Sequence, residues 1–332
     1  MQAIRIRPSE TAPPFSPSNP APSSALILVE DVDIPSPRPG HILVRVHAAT
    51  VTRDELTWPE SYVDAENHTP GFDFAGVVAA VQESDAPTFK PGDEVFAFDM
   101  DKGSAWAEYT TVAVTNLAPK PKVLSFEEAA TVPMSALTAW QALFVHSGLP
   151  EPDFGKGAPR SRGCSVLITG ASGAVGCFLV QLASAAGLRV IAASGSNKRN
   201  AEFLQSLGAS ETVEYDKITT TGRVFDAIID TVGGDPLKKA WDLVADGGSI
   251  VTVDSKSFEF NNVAAPVGKE HVKKKFFIIE PSGEQLLKIS MALDIGLLRT
   301  FVAWTFPLAE AKAAYEKASG RLDRRGKVVL TI

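Results

Sequence analysis

Residues 165 to 176 read SVLITGASGAVG, a short apolar run broken by glycines at 170, 173 and 176. The stretch that follows, AVGCFLVQLASAAG, has the apolar spacing of an amphipathic helix ended by glycine. A buried strand therefore passes into a helix within a few residues. Glycines allow it: without a Cβ they tolerate tight bends, close approach of an anion to the backbone, and close packing of helix on strand. The helix start then offers free N–H groups and a partial positive charge. Downstream the pattern continues with RVIAAS as a strand, NAEFLQSLGA as a helix, and ETVEY, FDAIIDTVG and GSIVTV as strands. Strands alternating with helices imply βαβ units and a parallel sheet. In that context Gly170, Ser172, Gly173, Ala174, Val175 and Gly176 read as a phosphate cradle for a dinucleotide; a purely structural bend is the alternative.

The end of the second strand indicates which dinucleotide. An NAD site places an acidic residue there, about 20 residues beyond the glycines, to accept from the ribose 2′-OH. Here ASGSNKRN (193–200) has no acid, and Ser194, Ser196, Lys198 and Arg199 suit a 2′-phosphate. NADPH is the expected cofactor; a solvated basic helix start is the other reading.

A chain of 332 residues exceeds one ordinary core, so two domains are expected. The first third reads as β: ILVRVHAATV (42–51), GVVAAVQ (76–82), EVFAF (94–98) and AEYTTVAV (107–114), separated by Pro-Gly turns. SFEEAATVP carries a capping box from Ser125 to Glu128, and the helical pattern runs on through TAWQALFVHSG. Prolines crowd residues 8 to 22, which reads as an extended surface loop, and 147–163 is a second long loop. The net charge of −7 argues against nucleic acid or an anionic membrane as partner, and no apolar stretch reaches the ~20 residues of a membrane span. MQAIRIRPSE has no signal-peptide core, and two cysteines, Cys164 and Cys177, fit a reducing compartment, so a cytoplasmic protein is expected. The five histidines show no ligand-like spacing, and no metal is expected.

Several stretches, in order and spacing, resemble the zinc-independent quinone oxidoreductases of the medium-chain dehydrogenase/reductase superfamily. They are VRVHAATVTRDEL (44–56), PGFDFAGVVAAV (70–81), FKPGDEVFAF (89–98), GSAWAEYTTV (103–112), EEAATVPMSALTAWQAL (127–143), VLITGASGAVGCFLVQLA (166–183), LGASETVEY (207–215), FDAIIDTVGG (225–234) and RRGKVVL (324–330). The chain is also similar to the trans-acting enoyl reductases of fungal polyketide assembly. The resemblance implies an α/β protein: a GroES-like β domain of residues 1–125 and 297–332, and a Rossmann doubly wound parallel sheet of residues 126–296. Zinc-dependent relatives carry a cysteine where this chain has Thr52, and Gly-His-Glu where it has Gly71-Phe72-Asp73; their four-cysteine lobe is absent. The implied reaction is zinc-free hydride transfer from NADPH to a small-molecule electrophile, a quinone or an α,β-unsaturated carbonyl.

The resemblance also implies roles for single residues. Thr52 stands where relatives carry an asparagine near the nicotinamide, and Tyr62 either donates to the developing oxyanion or covers the cleft. Asp54 matches a family aspartate, with a turn carboxylate as the alternative. Thr138 matches a threonine contacting the nicotinamide carboxamide, or it bonds its own helix. Tyr215 matches a tyrosine near the adenosine phosphate. Lys327 is either a cofactor contact or a solvated strand-start lysine, and Val253 closes the fifth sheet strand at the edge where ligands gather. An enoyl reductase would take its substrate from a carrier protein or as a diffusible intermediate; a non-catalytic NADPH-binding protein is the remaining class. Relatives are commonly homodimers through the strand near VKKKFFII (272–279), whose lysines could equally blunt a free edge.

Overall fold

The computed structural model describes residues 1–9, 13–62, 68–82, 89–100, 104–154 and 163–332, with backbone only at 220 and 221. Two compact units emerge, one of Met1–Met134, Pro281–Asp294 and Thr300–Ile332, the other of Ser135–Glu280 and Ile295–Arg299.

The β-rich segments of the first third build the first unit. Its larger sheet has the spatial order Val302–Pro307, Lys327–Thr331, His41–Val51, Asp73–Val81, Glu94–Phe98 and Leu117–Pro119, with Tyr109–Ala113 pairing off His41–Val51. All its pairs are antiparallel except Val302–Pro307 with Lys327–Thr331. Val44, Val46 and Val51 from the long strand enter the core with Phe74, Val95 and Trp106. Each such side chain contributes ~1.5–3 kcal/mol of burial, and the Trp106 indole is satisfied by donating to Thr50 O at 2.9 Å.

The unit boundaries differ from those read along the chain, because 126–134 and 281–294 join the first unit. The capping box at Ser125 and Glu128 is present, and the helix it starts, Phe126–Ala130, packs on His41–Val51 and Asp73–Val81. Helix Gly283–Asp294 packs on Leu117–Pro119, where Ser290 Oγ donates to Pro119 O at 3.0 Å. The proline-rich loop is also more than a surface excursion. Its described part closes a turn between Ser16 and Asn19, and Phe15 packs against the core. Most of the 147–163 loop, residues 155–162, lies outside the described residues.

The second unit holds six parallel strands in the spatial order Glu211–Glu214, Arg189–Ser194, Ser165–Ile168, Phe225–Asp230, Val244–Thr252 and Lys273–Phe276. By sequence within the unit this is 3-2-1-4-5-6, the doubly wound order whose switch point lies between the first and fourth strands. Helix Pro133–Trp140 does not run on as α: it widens into a π-helical stretch, Gln141–His146, with Ser147 N donating to Ala142 O at 3.1 Å. There the Gln141 amide donates to Glu280 O at 2.7 Å and accepts from Glu280 N at 3.0 Å. No described helix is long and apolar enough to cross a membrane.

Candidate functional site

In the second unit the functional geometry gathers at the carboxyl edge of the parallel strands. Ser165–Ile168 ends in Thr169 and passes through the glycine turn into helix Ala174–Ala185. Gly170 has φ of +64°, and a Cβ there would lie 2.0 Å from Thr231 Oγ1. A Cβ on Gly176 would lie 2.1 Å from Gly170 O and 2.6 Å from the Ala171 backbone. Only glycine fits either position, and the turn leads directly into the first turn of a helix, whose N–H groups have no partner within the helix. Ser172, Ala174 and Val175 are half-buried and Gly173 is exposed, so the cradle is reachable from solvent.

Buried Asp230 fixes the switch point. Its carboxylate accepts from Thr169 Oγ1 at 2.5 Å, Thr252 Oγ1 at 2.8 Å, Gly233 N at 2.9 Å and Val232 N at 3.4 Å. These bonds tie together the ends of the first, fourth and fifth strands. Val253, half-buried, continues that fifth strand and donates its N–H to Asp230 O at 3.0 Å. Tyr215, from the end of the third strand, accepts the Gly170 N–H at 2.9 Å through its hydroxyl. Burial pushes its phenol up, so it remains a neutral hydroxyl. The residues expected at the end of the second strand divide. Ser196 is half-buried and Lys198 and Arg199 are exposed, whereas Ser194 is buried, its Oγ donating to Ser196 O at 3.4 Å and accepting from Asn200 Nδ2 at 3.2 Å. Ser194 therefore serves the fold rather than presenting its hydroxyl outward, which corrects its reading as a phosphate donor. Thr138 is buried on helix Pro133–Trp140.

The first unit contains a buried polar cluster that sequence reading caught only in part. Asp54 adopts φ of +62°, and this sharp turn swings the next side chain, Glu55, inward. Fully buried, Glu55 accepts from Gly71 N at 2.6 Å and Thr52 N at 3.2 Å. Burial pushes its carboxyl up to about 8, against the downward pull of those two N–H groups and of Lys327. Asp73, also buried, accepts from Met134 N at 2.7 Å, from Thr50 Oγ1 at 3.0 Å and from the Lys327 ammonium. Burial raises the Asp73 carboxyl while Lys327 lowers it. Lys327 is thus neither a solvated lysine nor a group held out for a cofactor; its charge is neutralised inside the protein. Asp54 makes no side-chain cap bond and is a turn residue. Thr52 is half-buried, and among the described residues its hydroxyl is directed at Met134 Sδ, 3.7 Å away.

Tyr62 requires a correction of the same kind. Its hydroxyl donates to Leu56 O and accepts from Ala21 N at 2.8 Å, joining two loops, and the ring packs on the core. The oxyanion-donor role is withdrawn, because the single hydroxyl proton is already committed. Tyr62→Phe is expected to cost ~1–3 kcal/mol of stability by orphaning a backbone N–H, while turnover per folded molecule stays at the wild-type value; chemical denaturation and kcat on the same sample check both.

Among the described residues no three His, Cys, Asp or Glu side chains are grouped to hold a metal. A catalytic zinc needs three protein ligands, and here the carboxylates of Glu55 and Asp73 are already bound by internal donors.

Comparison with known proteins agrees with the architecture. The family described as alcohol dehydrogenase GroES-like domain matches residues 38–122, and the one described as zinc-binding dehydrogenase matches 207–330. A probable mitochondrial zinc-binding oxidoreductase of Arthroderma benhamiae is 40% identical over 90% of this chain and 91% of its own. Human quinone oxidoreductase is 28% identical over 92% and 94%. The solved structure of the quinone oxidoreductase from Coxiella burnetii superposes with a TM-score of 0.82 at 26% identity, over 100% of this chain and 99% of that one. The chain belongs to the medium-chain dehydrogenase/reductase superfamily, in its quinone oxidoreductase-like branch. It is an oxidoreductase built on a GroES-like domain and a Rossmann-like parallel sheet, of a family that uses a nicotinamide cofactor.

Proposed function

We propose that this oxidoreductase takes NADPH and, without zinc, delivers hydride to a quinone or an α,β-unsaturated carbonyl. The observation that carries the reading is the glycine cradle: two positions where any Cβ would collide, opening onto a helix N-terminus at the switch point of a 3-2-1-4-5-6 sheet. Bound there, NADPH would supply the hydride. Gly170, Ser172, Gly173, Ala174, Val175 and Gly176 hold its pyrophosphate, and the Tyr215 hydroxyl fixes the turn. Ser196, Lys198 and Arg199 take the 2′-phosphate as charge-assisted donors. Thr138 and Val253 are the remaining cofactor contacts. Thr52, whose hydroxyl has a weak sulfur partner among the described residues, donates to the substrate oxygen that gains charge. The zinc-free reading is supported by the donor set: among the described residues no three His, Cys, Asp or Glu side chains are grouped to hold a metal. The substrate is a free small molecule, with no nucleic acid or membrane partner. Both cysteines are free thiols, in keeping with a reducing compartment, which we take to be the cytoplasm.

The test follows loss of reduced-nicotinamide absorbance with NADPH and with NADH, against a benzoquinone, phenanthrenequinone, an aliphatic enal and a crotonyl thioester. Turnover of quinone or enal with NADPH is expected. Thioester turnover alone would move the assignment to an enoyl reductase serving a carrier protein. Tight NADPH binding with no turnover would indicate a non-catalytic role. In the Lys198→Ala/Arg199→Ala double variant, NADPH affinity is expected to fall ~10- to 100-fold, the loss of one or more charge-assisted hydrogen bonds, with NADH binding near its wild-type value. Equal weakening of both cofactors would remove the 2′-phosphate assignment.

A further inference from the structure

The reading of the second strand turned on its lacking an acid, yet an acid reaches the same edge from the strand beside it. Glu211–Glu214 pairs in parallel with Arg189–Ser194, and the register sets Glu214 directly opposite Ser194, each the last residue of its strand. Helix Asn197–Ser206 begins three residues after Ser194. Its first N–H, on Asn197, donates to Glu214 Oε1 at 2.8 Å, and the Asn197 side-chain amide donates to Thr212 O at 3.3 Å. Lys217 Nζ lies 3.3 Å from Glu214 Oε2. The Asn197 N–H first, and then Lys217, hold the Glu214 carboxyl below the usual carboxylate range, so it is charged at neutral pH.

The residue that follows Glu214 in the chain adjoins the dinucleotide cradle. That residue, Tyr215, takes the Gly170 N–H, and its ring lies 4.0 Å from where a Cβ on Gly195 would stand. Glu214 itself stands at the Ser194–Asn197 bend, and its chain neighbour Tyr215 stands at the glycine turn. In a sheet of this order the adenosine ribose lies over the end of the second strand; an acid there accepts from a 2′-OH, and cations there bind a 2′-phosphate. This edge offers both, the carboxylate of Glu214 and the cations of Lys198 and Arg199. A 2′-phosphate carries about −1.5 to −2 charges at neutral pH. It must share the edge with a fixed negative charge that already holds the first N–H of the helix. A 2′-hydroxyl meets no such opposition and finds an acceptor.

We propose that Glu214 is a cofactor-selectivity residue, an internal anion at the ribose end of the site that weakens 2′-phosphate binding and accepts a 2′-hydroxyl, so that the protein separates NADPH from NADH only weakly. The inference rests on the nicotinamide-dinucleotide reading above, and its test leaves hydride transfer out. Wild type, Glu214→Gln and Glu214→Asn are titrated by calorimetry with adenosine 2′,5′-bisphosphate and with adenosine 5′-monophosphate. Glutamine keeps an acceptor for the Asn197 N–H, and the shorter asparagine covers the case in which glutamine folds poorly. Removing a like charge is expected to tighten the 2′,5′-bisphosphate at least about tenfold, with the 5′-monophosphate unchanged or weaker. Equal tightening of both ligands, or no change in their ratio, overturns the proposal while leaving the cofactor site in place. Failure of wild type to bind either ligand removes the dinucleotide reading, and this inference with it.

Discussion

Lys327→Met is expected to cost about 3–5 kcal/mol of folding stability, the usual penalty for removing one partner of a buried ion pair. The residue left behind explains the size of the effect. Asp73 is fully buried, and after the substitution its carboxylate keeps only the Met134 N–H and the Thr50 hydroxyl as donors. Lys327 is what draws the Asp73 carboxyl down against the upward push of burial. Without it the carboxyl titrates higher still, and the folded variant holds a proton that the unfolded chain releases. A group whose folded pKa is raised stabilises below its unfolded pKa and loses that contribution as pH rises. The deficit of Lys327→Met against wild type should therefore widen from mildly acid to mildly alkaline solution. In the double variant Asp73→Asn/Lys327→Met, more than half of the loss should return, because no charge remains buried. Urea unfolding of wild type and the two variants at several pH values checks this; a deficit under about 1 kcal/mol throughout would show that the pair is energetically idle.

Sequence reading reached furthest where the information is local. The parallel sheet followed from alternating periods, and the glycine turn from residues within one βα unit. The capping box at Ser125 and Glu128 was legible because a helix start is written within four positions. Helix Gly234–Leu243 escaped, as Gly-Gly-Asp-Pro reads as a turn, although Leu237, Ala240 and Trp241 carry the helical spacing and are buried. What escaped at the site is non-local. Lys327 and Asp73 stand 254 residues apart and meet because strands Lys327–Thr331 and Asp73–Val81 both flank His41–Val51. Glu214 reaches the end of the second strand through inter-strand register, which no inspection of that strand alone could reveal. Asp54 and Glu55 are adjacent, and only the left-handed backbone at Asp54 decides which carboxylate is buried. Tyr62 shows the converse: its type and place suit catalysis, but a loop residue's hydroxyl is assigned by whatever backbone folds against it.

Glu55 provides the second large effect, and its sign distinguishes it from a merely structural residue. The carboxyl moves from an ordinary 4.5 to about 8 on folding, chiefly through burial. Between those values the folded protein holds a proton that the unfolded chain has released, so this group makes stability fall as pH rises, by about 1.4 kcal/mol per pH unit. Across the whole window this amounts to roughly 5 kcal/mol. Below 4.5 the contribution is fully present; above 8 it is gone. Glu55→Gln cannot ionise. Its amide oxygen still accepts from Gly71 N, but its NH₂ faces the Thr52 N–H and loses the weaker 3.2 Å bond, a cost of about 1 kcal/mol. The variant should therefore be slightly less stable than wild type near pH 5 and more stable by mildly alkaline pH, with the two curves crossing between. Subtracting one stability profile from the other cancels every group the two proteins share, histidines included. Parallel profiles would mean that Glu55 is ionised in the folded state, and that its two N–H donors and Lys327 outweigh the burial of its charge.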